Sequence, residues 1–129
     1  MSAVAAVLRE QDQMLLESLA QDHRIEVTDG FVNLILPGFQ TPGLDQGSAD
    51  LLLRLPFGFP DATPDMFWIS PALTANGVAI PGTEVSETHV GRTWQRWSRH
   101  IGGQWRPGVD NLETYLAYVR RALAIAGGR

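Results

Sequence analysis

The sequence of 129 residues contains no cysteine and no lysine, and its formal net charge at neutral pH is −4. Without cysteine the chain forms neither a disulfide nor a thioester, so covalent chemistry requires an oxygen or nitrogen nucleophile. Without lysine it has neither a Schiff-base lysine nor the lysine of a phosphate-binding loop. Apolar residues make up 44% of the sequence and no apolar run is long enough to span a membrane. We therefore expect one globular domain, residues 1–129, in the cytoplasm and without a membrane partner.

The charges are distributed unevenly along the chain. Up to Asp65 there are ten acidic residues and three arginines, which gives −7, and from Met66 onward there are four acidic residues and seven arginines, which gives +3. The net acidic charge argues against a nucleic-acid partner. The basic second half can still hold an acidic partner.

Apolar spacing predicts the elements of the first half. Three- and four-residue steps from Val4 to Leu19 predict an N-terminal helix over residues 2–22. Alternating or continuous apolar residues then predict a four-stranded antiparallel meander over residues 25–27, 31–36, 51–55 and 66–70. Asp29-Gly30 between the first two runs is typical of a tight hairpin turn.

The second half is less regular. Residues 72–108 have no sustained period, which predicts a long irregular segment, and such segments are usually functional. Asp110 with Glu113 three residues later predicts the start of a C-terminal helix, which Gly127-Gly128 ends. The order of elements predicts an α+β fold with helices packed on one sheet.

Several motifs resemble those of the ubiquitin-conjugating enzyme fold. They are a proline corner from Phe59 to Pro64 that contains Pro60, and Trp105-Arg106-Pro107 ahead of the last helix. Four segments resemble more narrowly a bacterial branch of this superfamily that accompanies ubiquitin-like proteins and their activating enzymes: residues 36–39 (LPGF), 64–68 (PDMFW), 97–100 (WSRH) and 105–108 (WRPG). The resemblance covers nearly the whole chain. It implies a ubiquitin-conjugating-like fold with a long active-site loop, and structural roles for Pro60, Pro64, Trp68 and Trp105.

The resemblance also implies a position for the nucleophile. Ser98 lies seven residues before Trp105, close to the spacing between the family's catalytic cysteine and its tryptophan. A serine hydroxyl needs a base to lose its proton. His100, two residues after Ser98, and His89, near the position of the family's His-Pro-Asn motif, are the candidates. The oxyanion-stabilising asparagine of that motif has no counterpart in this sequence.

Basic and aromatic residues surround this stretch. Guanidinium groups suit a carboxyl group or an oxyanion, which makes Arg92, Arg96 and Arg99, with Trp97 among them, candidates for binding a partner. The partners implied are a ubiquitin-like protein, an activating enzyme of the ubiquitin type and a target protein. We expect no cofactor, and no histidine shows the paired spacing of a zinc motif.

Two functions remain open. In the first, the protein is an acyltransferase that accepts the ubiquitin-like C-terminus as an oxyester on Ser98 and passes it to a target. In the second, it is a catalytically inactive variant that binds a ubiquitin-like protein or an activating enzyme. A serine hydrolase is less well supported, because no Gly-x-Ser-x-Gly turn is present. The alternative to a functional role is that Ser98 is an ordinary loop serine or a helix cap, the two histidines are surface or core residues and the arginines form a solvated face.

Overall fold

The computed structural model describes residues 3–128, which form three α-helices and six strands. The helices are α1 (Ala3–Val7), α2 (Glu10–Ser18) and α3 (Leu112–Ala126), and a single 3₁₀ turn spans Gly102–Gln104. The strands are β1 (Arg24–Thr28), β2 (Phe31–Gln40), β3 (Ser48–Pro56), β4 (Phe67–Ser70), β5 (Ser86–His89) and β6 (Arg92–Trp97). All neighbouring strands are antiparallel, and their order in the sheet is β1-β2-β3-β4-β6-β5.

The first hairpin has the predicted turn. Asp29 and Gly30 both have positive φ, 51° and 82°, and the strands pair Thr28 with Phe31 across them. Glycine adopts such a φ without cost and aspartate is among the residues that tolerate it, so Asp-Gly closes a two-residue hairpin. The prediction of a turn at this position is confirmed.

The predicted ubiquitin-conjugating-like fold, a four-stranded meander followed by a long active-site loop, is wrong. Residues 86–97 form a second hairpin, β5 and β6, and β6 pairs with β4 so that the sheet has six strands. The alternation of apolar and polar residues is lost in β6 because both of its faces are covered. Trp94 is buried on one face, while Trp97 and the polar Gln95 are buried on the other.

The helices cover one face of the sheet and enclose the main core. The continuous apolar runs of β2 and β3 are buried on both faces, which explains why they do not alternate. The opposite face carries a smaller buried cluster of Ile35, Leu52, Trp68 and Trp94. Arginine side chains lie over its aromatic rings, with Arg92 4.6 Å from the centroid of Trp94. This second face is called the outer face below.

The ends of the helices differ from the prediction in two places. The expected N-terminal helix is divided in two at Leu8 and Arg9, where the amide of Arg9 donates to the carboxylate of Asp12. The cap of α3 is Asn111 and not Asp110, because the Asn111 side chain accepts from the amide of Thr114 at 3.2 Å. No helix within residues 3–128 is both long and apolar enough to cross a membrane.

Candidate active site

Ser98 is the first residue after β6, at the end of the strand that pairs with the beginning of β4. Its amide donates to the carbonyl of Gly82 at 2.8 Å, and the amide of Met66 donates to the carbonyl of Arg99 at 3.1 Å. The backbone is therefore held on both sides of the serine. The side chain is half-buried, and its hydroxyl forms no hydrogen bond with any residue in the range 3–128.

His100 is paired with a carboxylate two residues after Ser98. Its Nδ1 lies 2.6 Å from Oδ1 of Asp65, and the two side chains are 59% and 55% exposed. An ionised carboxylate only accepts hydrogen bonds, so Nδ1 is the nitrogen that carries the hydrogen in the neutral imidazole. Nε2 then has a free lone pair with which to accept a proton.

The proline corner and the C-terminal helix support the segment that carries Asp65. Trp105 Nε1 donates to the carbonyl of Pro60 at 2.8 Å, and Pro60, Pro64 and Trp105 are all buried. The hydroxyl of Tyr115 in α3 donates to the carbonyl of Met66 at 2.5 Å. Burial raises the pKa of Tyr115 well above its ordinary value, so the phenol remains protonated and keeps this hydrogen bond.

His89 lies at the opposite end of β6 from Ser98. It pairs with Arg92, which is six residues before Ser98, a distance of about 20 Å along an extended strand. Its Nε2 is 3.0 Å from Oε1 of Glu87, and its ring meets the edge of Trp68 at 5.4 Å. Of the two candidate histidines, His100 is two residues from Ser98 in the sequence, whereas His89 lies at the far end of the strand.

Glu87 is the centre of a polar network on the outer face. Its carboxylate accepts from Trp68 Nε1 at 2.9 Å and from Arg96 Nη1 at 2.9 Å, and it contacts His89. The hydrogen bond from His89 lowers the pKa of Glu87 below its ordinary value, and the Arg96 charge adds to this effect. Trp68 is buried in this network.

The predicted partner-binding residues have different environments. Arg92 pairs with Asp50 at 2.8 Å, and Arg96 pairs with Glu87 at 2.9 Å. Arg99 has no acidic partner within 4 Å among the residues that the structure describes. The side chain of Trp97 is completely buried and has no surface to offer a partner.

An open groove of about 590 Å³ on the outer face reaches the carboxylate that binds His100. Asp65 and Met66 line it near the candidate nucleophile, and Arg54, Trp68 and His89 are among the residues farther along. Met66 is the residue of the β4 segment opposite Ser98, since the adjacent residues Phe67 and Trp97 are paired. The groove therefore meets the Asp65–His100 pair through Asp65, and His100 itself does not line it.

Sequence reasoning missed three residues of this region: Asp65, Glu87 and Arg54. Asp65 and His100 are 35 residues apart and meet only because β4 pairs with β6. The pairing of β4 with β6 is therefore the feature that indicates the contact between Asp65 and His100. No cluster of three or more histidine, aspartate or glutamate side chains suited to a metal ion occurs in the described part of the chain.

Comparison with known proteins identifies a family for this chain. The family model described as Prokaryotic E2 family E matches residues 8–126 of this chain. No curated protein and no solved structure matches it significantly. The matched range includes the whole sheet, the Ser98 segment and all of α3.

Proposed function

The chain belongs to prokaryotic E2 family E, and on this premise we propose that it receives the C-terminal acyl group of a ubiquitin-like protein as an oxyester on Ser98. The supporting observation is the hydrogen bond between Asp65 and His100, the residue two positions after Ser98. A carboxylate that orients an imidazole next to a hydroxyl is the arrangement by which proteins activate serine. The proposed partners are an activating enzyme, which supplies the acyl group, and a target protein, which accepts it.

The first step is an exchange of esters. Nε2 of His100 takes the hydroxyl proton of Ser98 as the oxygen attacks the carbonyl carbon of the activating enzyme's thioester. The carbon–sulfur bond breaks, the thiolate leaves, and the imidazolium returns the proton to it. In the second step an amine of the target attacks the oxyester, an amide forms and the Ser98 hydroxyl is regenerated.

Asp65 has a positioning role in this proposal. It holds the imidazole so that Nε2 rather than Nδ1 accepts the proton, and its negative charge stabilises the imidazolium that forms. Because the pair is more than half exposed, it is accessible to two protein partners in turn. The adjacent groove leaves room for the acceptor side chain or for the tail of the ubiquitin-like protein.

A catalytically silent binding module is the second candidate. Two observations favour it: the sequence has no cysteine, and the Ser98 hydroxyl forms no hydrogen bond with either histidine in residues 3–128. Such a module would bind the activating enzyme or the ubiquitin-like protein without a covalent step. The two candidates differ in whether a covalent adduct forms.

The test is to incubate the protein with a prokaryotic ubiquitin-like protein and its activating enzyme, together with ATP and Mg²⁺, and to measure its intact mass. We expect an adduct that survives thiol treatment, is released by hydroxylamine and is absent in Ser98→Ala. Asp65→Asn and His100→Gln should form it more slowly by a factor of about 10² or more. His23→Gln is the matched control, because His23 is exposed and lines none of this groove, and it should form the adduct at the normal rate.

The same experiment has an outcome that refutes the oxyester proposal. If the activating enzyme becomes charged but this protein gains no mass, the oxyester proposal is refuted. Co-migration of the uncharged proteins in size-exclusion chromatography would then support the binding module.

A further inference from the structure

A second groove lies on the helix side of the sheet, between α3 and the loop that joins β4 to β5. It consists of two joined depressions of about 160 and 390 Å³, which share Arg99 and Ile125. One wall is the second half of α3. The other is the loop around Val78, Ile80 and Pro81. Neither the proposed acyl transfer nor the outer-face groove uses this surface.

The groove exposes apolar side chains that face each other. Val78 of the loop is 65% exposed, and Ile125 of α3 is 62% exposed. Tyr118 and Ala122 continue the helix wall at the spacing of one helical face. Covering these two aliphatic side chains would be favourable, because it removes apolar surface from water.

Arg99 contributes an oriented cation to this groove. Its guanidinium lies 5.2 Å from the ring centroid of Trp97, and Nη1 is 3.5 Å from the carbonyl of Ser98. It also lies across Gly82, where a Cβ would come within 2.6 Å of Nη1. The carboxylate of Glu84 feels the Arg99 charge, but it accepts from the amide of Gly82 and forms no ion pair with Arg99 within 4 Å.

Arg121 contributes a second cation. It lines the smaller depression on α3 and has no acidic partner within 4 Å among residues 3–128. No aspartate or glutamate lines either depression. In a chain whose net charge is −4, this groove is therefore a local site that combines positive charge with exposed apolar surface.

From this combination we propose that the groove binds an acidic peptide segment of a partner protein, anchored by an aliphatic side chain between Val78 and Ile125. Carboxylates of the segment pair with Arg99 and Arg121, whose guanidinium forks match carboxylate geometry. The apolar anchor supplies affinity and the charges supply specificity. The interaction does not depend on the chemistry of Ser98.

The test uses fluorescence anisotropy with a short fluorescein-labelled peptide built of aspartate and leucine. Arg99→Glu and Arg121→Glu should each weaken binding by about tenfold or more, because each places a like charge opposite the peptide. Arg120→Glu is the matched control: it makes the same charge change one residue away, but Arg120 lines a different cavity and lies over Phe39. It should change the affinity by less than about twofold, since long-range effects are screened at physiological salt.

Two further probes separate this proposal from non-specific attraction. A peptide with lysine in place of aspartate should not bind, and one with serine in place of leucine should bind more weakly. The proposal is overturned by any of three results: no binding of the acidic peptide, an equal loss in Arg120→Glu, or complete competition by inorganic phosphate at the concentration of the peptide. Ser98→Ala should bind the peptide normally, so failure here is distinguishable from failure of the acyl-transfer proposal.

Discussion

At the scale of single residues, the lowered pKa of Glu87 predicts how the stability of the protein depends on pH. Hydrogen bonds from His89, Trp68 and Arg96 lower its pKa in the folded protein. A lowered folded pKa means that this carboxylate stabilises the protein above its unfolded pKa, about 4.3, and that the stabilisation is lost as pH falls through the folded pKa. Glu87→Gln should therefore lower the free energy of unfolding at pH 7 by about 1–2 kcal/mol. The difference from the native chain should shrink at acidic pH.

Urea unfolding at several pH values provides this measurement. Glu26→Gln is a suitable control, because Glu26 is an exposed residue of β1 and its carboxylate takes part in no ion pair within residues 3–128. It should leave the free energy of unfolding within about 0.5 kcal/mol. A deficit in Glu87→Gln that stays constant as pH falls below 4 would contradict the assignment.

Individual residues were predictable where their role is local. The turn propensity of Asp29-Gly30 was sufficient to place a hairpin, whereas the roles of Ser98 and His100 stay predictions. Asp65 was not predictable in this way, because its contact with His100 depends on strand pairing between distant segments. The choice of Asp110 as helix cap also failed, since its carboxylate accepts from the amide of Arg106 instead.

At the scale of elements, the β5–β6 hairpin depends on the turn at Val90-Gly91. Gly91 has φ of 72°, and a Cβ there would meet no atom within 4 Å. Gly91→Ala should therefore cost about 1–2 kcal/mol through backbone strain alone. Gly47→Ala is the control, because Gly47 also has open space and does not have positive φ. Equal stability of the two variants in urea unfolding would contradict the turn.

Strands β1 to β4 were predictable and strands β5 and β6 were not. Strands β2 and β3 carry long apolar runs bounded by glycine and proline, which sequence patterns detect directly. Strands β5 and β6 consist of polar residues and tryptophans, and some of their polar side chains bond to distant segments, as Gln95 does to the backbone of Leu73. Such contacts form only in the folded sheet, so the sequence has no apolar periodicity that would have indicated these two strands.

At the scale of the whole molecule, one buried hydroxyl joins the helix layer to the sheet. Tyr115 donates to the carbonyl of Met66, at the start of β4 and next to Asp65. Tyr115→Phe should lower the free energy of unfolding by about 1–2 kcal/mol, because a part-buried carbonyl loses its donor. Tyr118→Phe makes the same substitution where the hydroxyl has no hydrogen-bond partner in residues 3–128, and it should cost less than about 0.5 kcal/mol. Circular dichroism during urea unfolding distinguishes these outcomes, and equal effects would argue against the link between the layers.

At the same scale, we propose that the acyl group is attached at position 98. Because the sequence has no cysteine, a single introduced thiol allows the site of attachment to be measured directly. Ser98→Cys introduces the only thiol in the chain, and Ser86→Cys introduces one at an exposed position of β5. After incubation with the activating enzyme, ATP and the ubiquitin-like protein, we predict that Ser98→Cys gains a mass that thiol treatment removes, while Ser86→Cys does not. Charging of neither variant, or of both to the same extent, would contradict the account.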